Sequence, residues 1–439
     1  MIALKNYIIS EILYESAGRV VYRGVRRLDG APVIIKTLRS KAPSLRDIER
    51  LHREYAIGRQ LESPYVIRPE ALETRESLPM LVYPDFGGQP LARLIGASIE
   101  TGHFLEIAVQ LAAALADIHR QGIVHRDIKP ANVLITSHNG LEIKITDFGI
   151  AAPPARHPAV DADLIEGSLP YMAPEQTGRM DRGIDQRSDL YSLGVTFYQM
   201  LTGTLPCKAA DPPEWVHCHI AREPKSPRQI TPTILEPVAA IVMRLLAKQP
   251  EARYQSARGL LSDLRRCRGQ WRSRGQIAKF ALGADDASDL FLIPGKLYGR
   301  DEQLAGLSSA FERVTATGQP EFVLVSGYSG IGKSSLVQAL AQSVIGEQGY
   351  FISGKFEEHR RDIPYAPLAW AFSALIRQIL TESDERIQIW REELRQALGG
   401  NGRLITEIMP SIGPPPPLPR WRNWSTPRRP AILFLRSSF

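Results

Sequence analysis

Four polar side chains in the segment IVHRDIKPANVLI and in the DFG that follows it have the types and spacing that phosphoryl transfer needs. That reaction requires a carboxylate beside the acceptor hydroxyl, a cation near the moving phosphate and oxygen ligands for Mg²⁺. Asp127 and Lys129 supply the first two, and the ligands come from Asn132 and Asp147. A polar loop between a helix and a strand is the alternative, but the fixed order of these residues, with APE at 173–175, argues against it.

The elements around these residues form a short-stranded part followed by a helical part. RVVYRGV and APVIIKTL alternate as strands, and SLRDIERLHREYAIGRQLE has the apolar period of a helix. LPMLVYPDFGG predicts a buried strand, HFLEIAVQLAAALADIHRQG a helix ending at Gly122, and NVLITSHNGLEIKITDFG a hairpin. The sequence therefore predicts an α+β fold with a β-rich lobe before a larger helical lobe, in which the hairpin brings Asn132 and Asp147 together.

These segments together resemble the eukaryotic-like Ser/Thr protein kinase family over residues 7–268. The resemblance implies a two-lobed protein kinase fold, ATP and Mg²⁺ as cofactors, and proteins with Ser or Thr acceptors as substrates. It implies that Lys36 holds the α- and β-phosphates and that Glu54 is its partner on the helix. Lys129 resembles the Ser/Thr-directed version of the loop. The implied catalytic residues are Lys36, Glu54, Asp127 and Lys129, and the implied metal ligands are Asn132 and Asp147.

The resemblance also implies contacts with the base of the nucleotide. Leu13 and Val21 match the apolar roof over the base, although ordinary packing in the small lobe explains them equally well. Tyr83 and Asp85 match the hinge that contacts adenine, and Val82 would guard the back of the pocket.

Three more residues match structural positions of the family. Asp189, in SDLYSLG, is expected to brace the catalytic loop. Glu175 and Arg253 are expected to form a buried ion pair in the large lobe.

The loop LYESAGRVVYRG, at residues 13–24, departs from the family pattern. The three usual glycine positions fall on Tyr14, Ser16 and Arg19, and Gly18 lies one residue early. Glycine is favoured there because the backbone must approach the phosphates closely. We therefore expect looser phosphate binding, with Arg19 partly compensating through its charge.

The segment from residue 148 to residue 167 contains no Ser, Thr or Tyr, and the first hydroxyl is Ser168. In the family, Arg126 normally pairs with a phosphate on this loop. We expect one of three acidic residues to take the place of that phosphate, so that activity needs no loop phosphorylation; they are Asp161, Asp163 and Glu166.

A second ATP motif, GYSGIGKS, fits the P-loop pattern and stands between a predicted buried strand and a helix. Backbone N–H groups of such a loop cradle phosphates, Lys333 neutralises them, and Ser334 binds Mg²⁺. An ordinary glycine-rich turn is the alternative. GRDEQL upstream resembles the start of AAA-type NTPase modules, and no Walker-B strand is recognisable between residues 349 and 439. The implied nucleotide contacts are Gly327, Gly330, Gly332, Lys333 and Ser334.

The order of these units resembles the N-terminal part of large bacterial proteins that join a Ser/Thr kinase, an AAA-type ATPase, a sensor domain and a histidine kinase. We expect a linker over residues 269–293, the start of an α/β P-loop NTPase domain over 294–411 and an irregular Pro/Arg-rich tail over 412–439. The unusual tail suggests a truncated chain, with a shifted reading frame near Ile412 as one hypothesis.

Composition limits the class of protein. The net charge of +7 is concentrated in residues 265–279 and 419–430. Nucleic acid or an anionic membrane could bind there, but we favour a solvated linker and tail without a nucleic-acid role. Three cysteines without metal-ligand spacing predict reduced thiols, and the N-terminus lacks a signal-peptide core. No apolar run reaches the roughly 18 residues of a membrane span, so we expect a cytoplasmic protein.

Two functions fit these observations. The favoured one is an active Ser/Thr kinase in bacterial signal transduction, with ATP at two sites and a nucleotide-binding regulatory module. The alternative is an ATP-binding pseudokinase or scaffold that acts as a conformational switch, which only the altered glycine loop favours.

Overall fold

A computed structural model describes two compact units of the chain. The first comprises residues 1–177, 182–206 and 224–292, and the second comprises 178–181, 207–223 and 293–439. Within these, the structure describes residues 6–16, 18–40, 43–75, 78–96, 99–136, 140–155, 166–178, 183–287, 299–328, 331–333, 335–337, 339–340, 350–355, 384–398 and 432–436, with isolated positions between 368 and 379.

The first unit begins with a five-stranded antiparallel sheet and one helix. The strand order is β1-β2-β3-β5-β4, from β1 (Tyr7–Glu15), β2 (Arg19–Arg26), β3 (Pro32–Leu38), β4 (Ala71–Arg75) and β5 (Leu78–Pro84). The helix α1 (Leu45–Gln60) begins after Ser44, whose side chain accepts a hydrogen bond from the Asp47 N–H. Apolar residues alternate along the strands, so the sheet carries one cluster around Val33 and another in which Leu51 of α1 packs on Leu81.

The rest of the first unit is mainly helical and is built around α2. Its elements are β6 (Gln89–Pro90), α2 (Thr101–Arg120), β7 (Val133–Thr136), β8 (Glu142–Ile145), α3 (Gln186–Thr202), α5 (Pro227–Ile230), α6 (Glu236–Leu245) and α7 (Ala257–Arg274); α4 (Pro212–Ile220) belongs to the second unit. Residues of α2, α3, α6 and α7 share one large core. β7 and β8 pair antiparallel, as the predicted hairpin requires. The two-lobed α+β fold expected from the sequence is therefore confirmed.

Helix α2 is the one described helix that is long and apolar enough to cross a membrane. However, 61% of its apolar window is buried inside the protein. Its apolar residues are explained by the core that it forms.

The predicted linker at residues 269–293 differs from the structure over much of its length. Helix α7 continues to Arg274, and Gly275 ends it with a φ of 62°. Asp286 then accepts backbone N–H bonds from Gln255 and Ser256, at 2.7 and 2.9 Å, just before α7 begins. The chain up to Asp286 is thereby fixed to the helical lobe.

Three of the six cations in the basic run at residues 265–279 are paired with carboxylates of the same lobe. Arg272 lies 2.6 Å and Arg268 3.4 Å from the carboxylate of Glu106, and Lys279 lies 2.8 Å from that of Glu236.

The second unit begins its C-terminal part with α8 (Asp301–Thr317), a helix that the sequence predicts. Leu307 and Phe311 of α8 pack with Leu336 and Leu340, which follow the P-loop. The apolar run before the P-loop was expected to be a buried strand, and this expectation was wrong. It forms no described strand pairing, and Phe322 and Leu324 are 85% and 78% exposed.

The other described elements of the second unit are β9 (Phe351–Lys355), α9 (Asp384–Leu398) and β10 (Ile432–Arg436). β10 pairs in parallel with β9, from Ile432 opposite Phe351 onward. The tail was expected to be irregular throughout, and this is wrong for Ile432–Arg436. The apolar residues ILFL of this strand follow the prolines of the tail, and their backbone N–H and C=O groups are satisfied by pairing with β9.

Cysteine pairing also differs from the sequence-based expectation of reduced thiols. Cys207 and Cys218 form a disulfide with their Cα atoms 6.3 Å apart. Cys218 lies in α4, and Cys207 lies five residues before that helix begins. Cys267 is free and buried, and burial raises the pKa of its thiol to about 12.

The ion pair expected in the large lobe is confirmed. The Arg253 guanidinium is fully buried and donates to both carboxylate oxygens of Glu175, at 2.7 and 3.0 Å. Ser188 donates a third bond to Glu175 at 2.7 Å. Burial alone would raise the pKa of Glu175, but the Arg253 charge holds it below its ordinary value.

We expect Arg253→Met to lower the free energy of unfolding of the first unit by about 3–5 kcal/mol, because it leaves the Glu175 charge buried without its partner. Urea denaturation followed by circular dichroism measures the change. Lys279→Met, which removes an exposed cation, is the matched control and should leave the midpoint unchanged. Equal midpoints for the two variants would contradict the structural role of Arg253.

Candidate active site

A buried ionic cluster joins three elements where the sheet meets the helical lobe. β3 presents Lys36, α1 presents Glu54, and the turn after β8 presents Asp147. The Lys36 Nζ atom lies 2.7 and 2.9 Å from the two Glu54 carboxylate oxygens and 2.9 Å from Asp147 Oδ1. Lys36 and Glu54 are only 9% and 1% exposed. The cluster therefore brings together three of the residues that the sequence analysis singled out.

Electrostatics keep Lys36 and Asp147 charged in this cluster, whereas burial raises the pKa of Glu54 above its ordinary value. Burial alone would lower the pKa of Lys36, but Asp147 and Glu54 hold it above its ordinary value. Burial would likewise raise the pKa of Asp147, but the Lys36 ammonium and the Arg19 guanidinium hold it well below its usual range. Lys36 is thus a cation and Asp147 an anion at neutral pH.

A second group of polar residues surrounds Asp127 in the loop before β7. Lys129 Nζ lies 2.6 Å from Asp127 Oδ2 and 2.6 Å from Ser168 Oγ. The Ser168 N–H donates to Asp127 Oδ1 at 3.0 Å, and Asn132 Nδ2 donates to Asp127 Oδ2 at 3.0 Å. Asp127 and Lys129 therefore lie beside a hydroxyl group.

The loop that carries Asp127 is braced from α3. The Asp189 carboxylate accepts the backbone N–H groups of His125 and Arg126, both at 2.8 Å. Arg126 and Asp147 are the two non-glycine residues with positive φ in the described part of the chain, at 69° and 70°. Such angles are uncommon and are held by the surrounding structure, often at functional sites. The bracing role expected for Asp189 is confirmed.

The donor set at Asn132 and Asp147 fits a Mg²⁺ ion. The N–H of Thr146, directly before Asp147, donates to the backbone oxygen of Asn132 at 3.0 Å, which holds the two residues side by side. The Asn132 amide nitrogen bonds to Asp127, which leaves its Oδ1 atom without a hydrogen bond among the described residues. A carboxylate and an amide oxygen are the hard ligands that Mg²⁺ prefers.

The roof of the cleft comes from β1 and β2. Leu13 and Val21 are half-buried, and Val21 lies opposite Lys36 in the β2–β3 pairing. Arg19 Nη1 lies 3.5 Å from Asp147 Oδ1, so its charge reaches the ionic cluster. A Cβ atom at Gly18 would meet nothing within 4 Å, so the surrounding atoms do not require glycine at this position.

The side chains at the predicted hinge make contacts within the protein. The Tyr83 hydroxyl donates to Glu54 Oε1 at 2.7 Å, so this side chain lies at the back of the cleft. Val82, expected there, packs with Val33 on the opposite face of the sheet, because successive strand residues face opposite sides. Asp85 accepts from Arg23 at 2.7 Å, and its N–H donates to Pro32. The side chains of Tyr83 and Asp85 are thus engaged within the protein.

One acidic residue of the segment before Ser168 is paired with α1. Glu166 Oε1 lies 3.0 Å from Arg50 Nη2 and 3.3 Å from Arg46 Nε. The Arg126 guanidinium donates to the backbone oxygen of Pro153 at 3.2 Å. Three acidic residues were expected to pair with Arg126 in place of a loop phosphate. Asp161 and Asp163 lie outside the described residues, and Glu166 pairs with two arginines of α1.

The P-loop of the second unit is described in part. Lys333 Nζ donates to the backbone oxygens of Gly327 and Tyr328, at 2.6 and 2.9 Å. Gly327 and Gly332 have φ values of 153° and 93°, and a φ of 93° favours glycine. The two other predicted contacts, Gly330 and Ser334, lie outside the described residues.

Sequence reasoning missed the two contacts that hold α1, Tyr83 with Glu54 and Glu166 with Arg50. The first had no signal in the sequence, because β5 is apolar throughout and its composition does not distinguish its two faces. Since Arg46, Arg50 and Glu54 are four residues apart on α1, the helical period places them on one face, which indicates part of the second.

Comparison with known proteins finds two families in this chain. Residues 15–263 match the protein kinase domain and residues 296–428 match the AAA ATPase domain. The protein called serine/threonine-protein kinase Pkn1 of Myxococcus xanthus is 34% identical over 242 residues, covering 54% of this chain and 34% of Pkn1. The protein called serine/threonine-protein kinase PknB of Mycobacterium leprae is 34% identical over 222 residues, covering 49% of this chain and 35% of PknB.

One relative extends across both matched regions. The hybrid signal transduction histidine kinase G of Dictyostelium discoideum is 30% identical over 404 residues. That similarity covers 72% of this chain but 12% of the relative. The chain thus spans about a third of the length of Pkn1 and about an eighth of the length of the histidine kinase.

We expect Arg19→Ala to raise the Kd for Mg-ATP about two- to fivefold, because it removes a half-exposed cation beside the ionic cluster. Calorimetry in a Lys333→Ala background isolates this site from the P-loop. Arg120→Ala removes an exposed arginine that pairs with Asp117 on α2, away from the cleft, and is the control. A Kd that stays the same or falls would show that Arg19 competes for Asp147 and gives no help to phosphate binding.

Proposed function

Because the chain belongs to the protein kinase family, we propose that it is an active Ser/Thr protein kinase of a bacterial signalling pathway. It would transfer the γ-phosphate of ATP to Ser and Thr hydroxyls of other proteins. The observation that carries this proposal is the simultaneous presence of the two polar groups around Lys36 and Asp127. Cytoplasmic location and protein substrates are parts of the same proposal.

The contacts support a role for each residue. Lys36, held by Glu54, would bind the α- and β-phosphates, and Asp127 would orient the acceptor hydroxyl and receive its proton. The position of Ser168 Oγ beside Lys129 shows that a hydroxyl fits next to this pair. Lys129 would balance the negative charge on the transferred group. Mg²⁺ at Asn132 and Asp147 would neutralise the phosphate oxygens.

The half-buried Leu13 and Val21 would cover the base. Its polar edge would meet the backbone after β5, since the side chains of Tyr83 and Asp85 are engaged elsewhere. Among the described residues, no hydrogen bond uses the N–H of Phe86, which makes it the strongest candidate for a base contact.

We assign the P-loop unit a regulatory role as a second ATP-binding module. Lys333 and the backbone of Gly327 lie together as a phosphate-binding loop requires. Nucleotide binding is the activity that we propose for this unit.

The alternative is an ATP-binding pseudokinase or scaffold. The altered glycine loop favours it, since Tyr14, Ser16 and Arg19 replace glycine. A scaffold, however, has no need for Asp127, Lys129 and Asn132 in one hydrogen-bonded group. We therefore favour the active kinase.

Transfer from labelled ATP to a generic Ser/Thr protein tests the proposal. We expect Asp127→Asn to lower the rate by about 10²- to 10⁴-fold, because the base for the acceptor hydroxyl is lost. Lys333→Ala, which changes only the P-loop, should keep basal transfer. Wild-type protein that binds Mg-ATP and transfers no phosphate would support the scaffold instead.

A second test concerns the loop before Ser168. We expect phosphatase-treated protein to remain active, and Glu166→Gln to lower the transfer rate several-fold because Arg46 and Arg50 lose their counter-charge. Glu236→Gln, which breaks the exposed pair with Lys279, is the control. Loop phosphopeptides whose removal abolishes activity would contradict this expectation.

A further inference from the structure

A buried tyrosine hydroxyl lies against the carboxylate that holds Lys36. Tyr83 is 7% exposed, and its hydroxyl donates to Glu54 Oε1 at 2.7 Å. Glu54 is 1% exposed, and the same oxygen also accepts from Lys36 at 2.9 Å. The Glu54 carboxylate is therefore fixed by one donor from β3 and one from β5.

The direction of the Tyr83 side chain follows from the sheet. Leu81 and Tyr83 face α1 and pack with Leu51, whereas Met80 and Val82 face the opposite side. Tyr83 is also the next-to-last residue of β5, so its ring lies where the strand leaves the sheet. A phenylalanine at this position would keep the packing and lose only the hydrogen bond.

The bond has a direct consequence for Glu54. A buried carboxylate needs all its hydrogen-bond donors, because it has no water to replace a missing one. Burial raises the pKa of the Tyr83 phenol well above its ordinary value, and Glu54 raises it further, so the hydroxyl keeps its proton. The Tyr83 hydroxyl thus donates a hydrogen bond to Glu54 and stabilises α1 in the position in which Glu54 contacts Lys36.

We propose that Tyr83 is a positioning residue for phosphate transfer, whose hydroxyl holds Glu54 and, through Glu54, the Lys36 ammonium. This inference rests on the proposed kinase activity. It gives Tyr83 a task different from the adenine contact expected from the sequence. Tyr83 acts together with the Glu166–Arg50 pair, which holds α1 one turn earlier.

A double-mutant cycle tests this role. The variants are Tyr83→Phe, Glu54→Ala and the combination of both, each assayed for kcat/KM with ATP. We expect Tyr83→Phe to lower kcat/KM about tenfold in the wild-type background, as for a lost hydrogen bond to a charged group. In the Glu54→Ala background the same change should cost nothing further, because the acceptor is gone.

Tyr7→Phe is the matched control. Tyr7 is buried in the same lobe, and its hydroxyl donates to Glu73 at 2.6 Å, but its ring packs on the other face of the sheet. It should leave kcat/KM unchanged. Circular dichroism melts show whether Tyr83→Phe folds, and Tyr83→Met, which also lacks the hydroxyl, replaces it if it does not.

Two results overturn the inference: kcat/KM of the Tyr83→Phe variant equal to that of wild type, or the same loss in both backgrounds, which would indicate general packing. If wild-type protein transfers no phosphate, the proposed function fails instead. The same cycle measured by the Kd for Mg-ATP then decides the role of Tyr83 on its own.

Discussion

The rest of the active site depends on the buried ionic contact between Lys36, Glu54 and Asp147. Each charge is largely removed from water, which costs several kcal/mol for an unpaired ion, so none of them is stable there alone. The three side chains come from β3, α1 and the turn after β8. The sheet and α1 must therefore be assembled to pair Lys36 with Glu54, and the helical lobe must join them to pair Asp147, so the cleft forms as a consequence.

A second constraint is the unusual backbone on both sides of the cleft. Arg126 and Asp147 both have positive φ, which side chains other than glycine rarely adopt. Asp189 accepts the backbone N–H groups of His125 and Arg126, and Lys36 holds the carboxylate of Asp147. Strain of this kind persists because neighbouring contacts determine it. Two rigid anchors, Asp189 on α3 and Lys36 on β3, thus support the site from opposite lobes.

Much of the fold and site could be predicted because the informative residues lie in local motifs. The order of Asp127, Lys129, Asn132 and Asp147 needs only a loop and a hairpin to become a site, and the structure contains both. Side-chain direction on β5 was misjudged by one residue, since an all-apolar strand carries no alternation that fixes its faces. The pairing of Glu166 could not be predicted, since it joins residues 116 positions apart. The run before the P-loop has the composition of a buried strand, but burial requires a neighbouring strand, and none is described beside it.

The altered glycine loop differs from the family pattern without disturbing the residues that Asp189 and Lys36 hold in place. Its backbone still forms a tight turn, with the Ser16 N–H donating to the Arg19 oxygen at 2.9 Å, so the lost glycines have not opened the strand pairing. The residues that would carry the chemistry are anchored elsewhere, on Asp189 and on the Lys36 cluster. Because the loop contacts that cluster through the long and half-exposed side chain of Arg19, its composition affects how tightly phosphates are held and leaves the positions of Asp127 and Asn132 unchanged.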